Sequence, residues 1–169
     1  MGSSGQLRLL QENIALNGYQ VTAVRAAAGD HCGQARFTAG LDAGNSLASD
    51  GPVVTDLVTV DSLIGGRHVT GMKIDAEGFE INVLRGAARA LAEHRIGLIQ
   101  LEWNQASTFA VGAGRGPVAD LPAGHGYRLY RPDAAGRLVP VRAPGFGADV
   151  FACPEPASPR LASAEGCPP

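Results

Sequence analysis

The sequence predicts an α/β fold with a mostly parallel sheet that ends in an antiparallel strand pair. An apolar strand, an amphipathic helix and a second apolar strand succeed one another between Gly71 and Asn104. Short β-branched segments precede this unit, and a hairpin pattern around residues 133–136 follows it. Strands that alternate with amphipathic helices are typical of a parallel sheet covered by helices.

The first part of the chain predicts a helix followed by three strands. Apolar residues recur at helical spacing from Leu7 to Leu16, and Gly18 is a helix stop signal. The segments that follow are, in order, a strand at Tyr19–Val24, an edge strand at Ala35–Ala39, a loop over 40–52, a strand at Val53–Val60 and one helical turn at Asp61–Ile64 capped by Asp61.

The second part predicts a strand–helix–strand unit and a hairpin. Phe79, Val83, Ala87 and Leu91 lie four residues apart and form part of a broad apolar helix face. The predicted elements are, in order, a strand at Thr70–Ile74, a helix at Glu77–His94, a strand at Ile96–Leu101, a short helix near Val118–Leu121, a hairpin of Tyr127–Tyr130 with Leu138–Val141 and a strand at Asp149–Cys153.

Chain length and composition indicate one domain and argue against nucleic-acid-binding and membrane proteins. The 169 residues fit one domain, predicted over 1–153, and the tail at 154–169 contains five prolines and is predicted to be unstructured. A net charge of −2 with a single lysine argues against nucleic-acid binding. The sequence has no membrane-length apolar run, no signal peptide and no disulfide framework, which predicts a cytoplasmic protein that does not bind membranes.

Carboxylates follow both strands of the central unit. Asp75, Glu77 and Glu80 surround Gly78 after the first strand, and Glu102 follows the second. Ligands of open α/β sheets bind at the carboxyl ends of strands, so these residues are candidates for substrate binding or general-base catalysis. The simpler interpretation is that acidic residues favour a helix N-terminus. No histidine or cysteine pair has zinc-ligand spacing, and we predict no metal.

The central segment resembles the FkbM-type methyltransferases. The resemblance rests on MKIDAEGFEINVLRGA and the later IGLIQLEWN, supported by LQENIALNG, VRAAAGD and VTVDSL in the same order. The matching signature positions are Lys73, Ile74, Asp75, Glu77, Gly78, Glu80, Leu84, Gly86, Ala87 and Glu102. The resemblance covers residues 7–105.

This resemblance implies a Rossmann-like methyltransferase that uses S-adenosylmethionine. The expected acceptor is a hydroxyl of a small metabolite, sugar or polyketide. The implied catalytic residues are Asp75, Glu77 and Glu102, with Asp75 or Glu77 as the base. The implied cofactor-binding residues are Ala27, Ala28, Asp30, Lys73 and Asp75.

The chain departs from the family pattern at its start. By resemblance, a first βαβ portion with a glycine-rich cofactor loop should precede Leu7, and the sequence does not contain it. We therefore expect a partial sheet whose exposed edges favour self-association. Two alternatives to an active methyltransferase follow: an inactive fragment, or a metabolite-binding module that uses the crevice of Asp75 and Glu102 without chemistry.

Overall fold

Two sheets and five helices make up the part of the chain that the computed structural model describes, which is residues 2–38, 50–76, 78–103, 114–142, 144–147 and 149–155. The helices are α1 (Gly2–Asn17), α2 (Val60–Ile64), α3 (Glu80–Arg85), α4 (Ala88–Ala92) and α5 (Gly116–Gly124). The strands are β1 (Ala27–Ala28), β2 (Gly33–Phe37), β3 (Val53–Val58), β4 (Met72–Ile74), β5 (Ile99–Leu101), β6 (Tyr127–Pro132), β7 (Leu138–Pro140) and β8 (Val150–Pro154).

The larger sheet has five strands in the order β4-β5-β8-β6-β7. β4 and β5 are parallel, whereas the pairs β5/β8, β8/β6 and β6/β7 are antiparallel. The predicted C-terminal hairpin is confirmed, but the prediction of a mostly parallel sheet is wrong, because the sheets are mixed. The β4–β5 connection contains α3 and α4, the helical crossover typical of parallel neighbours, whereas β8 enters between β5 and β6 and is antiparallel to both.

The smaller sheet has three strands in the order β1-β3-β2, so that β2 is an edge strand as predicted. The predicted strand at Tyr19–Val24 is wrong. Strands are held by ladder hydrogen bonds to a neighbour, and no described strand lies beside this segment. Val21 N instead donates a hydrogen bond to Tyr19 O over 3.0 Å, and both side chains are more than half exposed.

The single helix predicted over Glu77–His94 is divided into α3 and α4. Asp61 explains where α4 begins, because its carboxylate accepts hydrogen bonds from Arg89 N and Ala90 N over 2.9 and 2.8 Å. The prediction that Asp61 caps its own helical turn is therefore wrong. Thr59 caps α2, with its hydroxyl accepting from Ser62 N.

The hydrophobic core joins the five-stranded sheet to α3, α4 and α5. Its members from the sheet are Ile74, Ile99, Leu101, Tyr127, Leu129, Val150 and Ala152, and those from the three helices are Val83, Leu84, Ala90, Leu91 and Val118. This core fixes the ends of β4 and β5, where the predicted carboxylates lie. α1, in contrast, leaves Leu9, Leu10 and Leu16 exposed.

Candidate functional site

The turn that follows β4 contains an ion pair. Lys73 Nζ donates a hydrogen bond to Asp75 Oδ2 over 2.7 Å, and the two side chains are 54% and 44% exposed. This hydrogen bond is the main reason why the pKa of Asp75 is lowered, and it raises the pKa of Lys73. Asp75 therefore presents a carboxylate at neutral pH.

Glu102 lies beside Asp75 because β4 and β5 end at the same edge of the sheet. Ile74 pairs with Leu101, and Glu102 N donates to Ile74 O over 3.2 Å. A hydrogen bond with the Glu102 carboxyl also lowers the pKa of Asp75. The structure thus brings together two carboxyl groups that the sequence placed at neighbouring strand ends. A hydrogen bond between two carboxyl groups needs a proton on one of them.

Glu80 is fully buried and stabilises the turn. Its Oε1 accepts hydrogen bonds from Gly78 N over 3.0 Å and from Ala76 N over 3.4 Å. Its Oε2 accepts one from Arg115 Nη1 over 2.7 Å. Gly78 has a φ of 100°, which the turn requires and glycine adopts easily. With both oxygens occupied, Glu80 has a structural role in this turn.

Arg115 is a residue of this region that the sequence did not single out. Besides Glu80, its guanidinium donates to the Glu102 carbonyl through Nη2, and it lies over the Trp103 ring at 4.8 Å from the centroid. Arg115 is only 7% exposed. Glu80 is 35 residues away in the chain, and no local pattern connects an arginine to a partner at that separation.

A cavity of about 610 Å³ lies along β4. Its wall is mostly apolar, and it includes Ala27, Ala28, Lys73 and Asp75, which are four of the five residues that the family resemblance assigns to the cofactor. The other residues of the wall are Phe37, Val60, Leu63, Ile64, Val69, Gly71, Met72, Ile74, Ala76, Phe79 and Val83. The turn, β1 and β4 therefore border one space, although the roles of these residues stay predictions.

Asp30, the fifth predicted cofactor residue, lies outside this wall. Its carboxylate is hydrogen-bonded to His31 Nδ1 over 2.7 Å and accepts from Asn82 Nδ2 over 3.0 Å. The His31 contact is the largest cause of the lowered pKa of Asp30. Asp30 thereby ties the turn after β1 to α3. Glu77, predicted as an alternative base, lies outside the described residues.

Within the described ranges, no group of three His, Cys, Asp or Glu side chains is placed to hold a metal ion. His94 is hydrogen-bonded to the His125 carbonyl over 2.7 Å and packs edge-on against Tyr127. This histidine therefore contributes to the packing between α4 and β6.

Residues 5–134 match the family model of the Methyltransferase FkbM domain. The chain belongs to the FkbM methyltransferase family. The matched range contains the turn after β4, Glu102 and Arg115, whereas β7 and β8 lie beyond it. The FkbM resemblance that the sequence predicted is thus confirmed.

A solved structure similar to the chain is a methyltransferase FkbM from Methylobacillus flagellatus KT. The two share 18% sequence identity with a TM-score of 0.46, and the match covers 88% of this chain. The chain spans about a third of the length of that protein, of which 32% is covered. No curated protein matches the chain. Over the ranges described above, no helix has both the length and the apolar character needed to cross a bilayer.

Proposed function

We propose that this FkbM family chain takes part in methyl transfer from S-adenosylmethionine to a hydroxyl group of a small metabolite, sugar or polyketide. The observation that carries the proposal is the position of Asp75. Its carboxylate borders the 610 Å³ cavity and contacts both Lys73 and Glu102. Small-molecule sites commonly have volumes of about 300–1,000 Å³ and combine apolar walls with a few polar groups.

The cavity residues fit parts of the cofactor by chemical type. Ala27 and Ala28 belong to the apolar part of the wall, which suits a flat adenine ring. Asp75 and Lys73 form a polar section that suits the amino, hydroxyl and carboxylate groups. In this proposal these residues hold the cofactor, and Asp30 fixes the turn next to Ala27 and Ala28. The same wall supports a Rossmann-like arrangement, in which ligands bind at the carboxyl ends of parallel strands.

The chain's own residues would orient the acceptor and receive its proton. When bound, the cofactor supplies a methyl group on a positively charged sulfur. Asp75, ionised and paired with Lys73, accepts a hydrogen bond from the acceptor hydroxyl and orients its oxygen. A carboxylate with a lowered pKa is a weak base, so orientation is its larger contribution. The proton lost by the hydroxyl passes to the Asp75–Glu102 pair. Glu77 remains the alternative base.

A second candidate is a metabolite-binding module without methyl transfer. β4 is an edge strand of the described sheet, which pairs with β5, and the cavity is lined by β4 itself. A cavity lined by an edge strand offers a ligand fewer protein contacts than one enclosed between two strands. S-adenosylmethionine carries charged groups that need such contacts, so this boundary favours the alternative. This alternative predicts that metabolite binding is unaffected by cofactor analogues, whereas cofactor-dependent turnover would exclude it.

Calorimetric titration with S-adenosylhomocysteine tests the proposal. We expect micromolar binding by the wild-type chain and about 10–100-fold weaker binding by Asp75→Asn, because a hydrogen bond to a charged group is lost. The matched control is Asp120→Asn, which removes the same charge at an exposed position of α5. Absence of binding by a chain shown to be folded by circular dichroism would contradict the proposal for this chain.

A further inference from the structure

Arg115 connects the two segments that carry the carboxyl pair. Through Glu80 it contacts the turn that begins at Asp75, and through the Glu102 carbonyl it contacts the segment that carries Glu102. Glu80 in turn accepts hydrogen bonds from the backbone of that turn at Gly78 and Ala76. One guanidinium therefore links the two chain segments that carry Asp75 and Glu102.

We propose that Arg115 is a positioning residue that sets how Asp75 and Glu102 face each other. The catalytic meaning of this inference rests on the proposed function, because that function assigns the acceptor proton to the pair. The arrangement itself needs no cofactor and can be measured without one.

The environment of Arg115 makes the link rigid. Arg115 and Glu80 are 7% and 0% exposed, so neither charge can be compensated by water if the other is removed. The Trp103 ring lies against the guanidinium and stabilises it by a cation–π contact. Arginine serves two acceptors with a planar fork, and the single ammonium of a lysine cannot reproduce that geometry.

Other charges act on the pair independently of Arg115. Lys73 contacts Asp75 directly, and Asp149 and Glu102 contribute to the raised pKa of Lys73. Asp149 is held by Gln100, whose Nε2 donates to Asp149 Oδ2 over 2.6 Å. These groups lie on or next to β4, β5 and β8, and none of these contacts includes Arg115, so we expect them to persist when Arg115 is replaced. A change in the titration of the pair would therefore report its geometry.

The test is an NMR titration of the Asp75 and Glu102 side-chain carboxyl carbons in the free chain. In Arg115→Lys we expect the Asp75 midpoint to rise by about half a pH unit or more, because the hydrogen bond with Glu102 weakens. Arg95→Lys is the matched control. Arg95 is 4% exposed, contacts Glu93 over 2.6 Å and the Gly65 carbonyl, and precedes the opposite end of β5. Its replacement should leave the Asp75 midpoint unchanged.

A folded Arg115→Lys chain in which both carboxyls titrate as in the wild type overturns the proposal, as does an equal shift in Arg95→Lys. If Arg115→Lys does not fold, the double variant Arg115→Gln/Glu80→Gln serves instead, because it removes both buried charges. The glutamine side chain at position 115 is also too short to contact the Glu102 carbonyl as the arginine does. The double variant should show the same rise of the Asp75 midpoint, and an unchanged midpoint again overturns the proposal. Failure to bind S-adenosylhomocysteine would count against the proposed function only.

Discussion

Cys32 and Cys153 occupy opposite environments. Cys32 is exposed, and hydrogen bonding, chiefly to the Thr59 backbone, lowers the pKa of its thiol, whereas burial raises the pKa of Cys153. Thiolates are the reactive form, so we expect iodoacetamide to label Cys32 at least about tenfold faster in the native chain. Peptide mass spectrometry measures each rate, with the urea-unfolded chain as the control. Similar native rates would contradict the prediction.

The Lys73–Asp75 pair makes a pH-dependent contribution to stability. The folded pKa of Asp75 lies below the ordinary value of 3.8, so the unfolded chain takes up this proton at higher pH. The contribution is therefore present at neutral pH and is lost as the pH falls below 3.8 through the folded pKa. Because both side chains are about half exposed, it amounts to about 1 kcal/mol or less.

Urea unfolding of the wild-type chain and of Asp75→Asn measures this contribution. The difference in the free energy of unfolding should be positive at neutral pH and should disappear as the pH falls through the lowered folded pKa of Asp75. Asp120→Asn is again the control and should show little difference at either pH. A difference for Asp75→Asn that stays constant with pH would argue against the pair.

The sequence was informative about side chains that follow strands and uninformative about partners far away in the chain. Asp75 and Glu102 each come directly after a strand, and parallel strands end at one edge, so their proximity could be predicted. Arg115 follows a glycine-rich segment, and its pairing with Glu80 depends on where α5 packs. Only the three-dimensional structure supplies that information.

At the scale of elements, Asp61 stabilises a helix to which it does not belong. Its carboxylate caps α4 at Arg89 N and Ala90 N, so Asp61→Ala should lower the free energy of unfolding by about 1 kcal/mol, and Asp61→Asn by less. Urea unfolding measures both, with Asp56→Ala on the exposed side of β3 as the control. Equal stability of Asp61→Ala and the wild type would show that the cap contributes nothing.

Gly86 allows α3 to approach the turn after β1. A Cβ at this position would collide with the Gly29 backbone carbonyl, and Gly86 O accepts a hydrogen bond from Asp61 N over 2.9 Å. Gly86→Ala should therefore destabilise the chain by about 1–3 kcal/mol, although alanine favours helices. Gly124→Ala in α5, where a Cβ meets nothing within 4 Å, is the control. A melting temperature of Gly86→Ala that equals or exceeds that of Gly124→Ala would refute this prediction.

Helical periodicity predicted the apolar face that packs in the core but not the point where α3 ends. Val83, Ala87 and Leu91 are all buried, as their spacing indicated. The division falls next to Gly86 because the Gly29 backbone approaches there. The Asp61 carboxylate then caps the start of α4. Both contacts come from residues that are distant in sequence, so local propensity could not reveal them.

At the scale of the whole molecule, exposed apolar groups are concentrated in the first third of the chain. Leu9, Leu10, Leu16, Tyr19, Val21, Val24 and Val54 all exceed 40% exposure. Together with the open side of β4, this surface supports the proposal that the chain associates with itself.

Light scattering after size exclusion tests this association. We expect the wild-type chain to elute above its monomer mass of 17.4 kDa. Leu9→Glu/Leu16→Glu should shift it towards the monomer, because it removes exposed apolar surface from α1. Gln11→Glu adds charge to the same helix without removing apolar surface and should not. A monodisperse wild-type monomer would contradict the proposal.

The type of fold was predictable, whereas the direction of most strand pairs was not. The parallel β4–β5 unit follows from a local strand–helix–strand pattern, and the β6–β7 hairpin follows from a turn. The position of β8 is set by pairing with strands about 20 to 50 residues earlier, with Ala152 facing both Ile99 and Leu129. Alternation of strands and helices contains no information about that insertion.

The place of β8 has a consequence for biosynthesis. It is the last described strand, and it lies between β5 and β6, with Val150 and Ala152 fully buried. During synthesis, β5 and β6 emerge from the ribosome first and have no strand to join them. The five-stranded sheet can close only after residue 154 has left the exit tunnel, so the pairing of β5 and β6 with β8 must wait for the synthesis of residues 150–154. Until then, the apolar edges of β5 and β6 are available to chaperones and proteases.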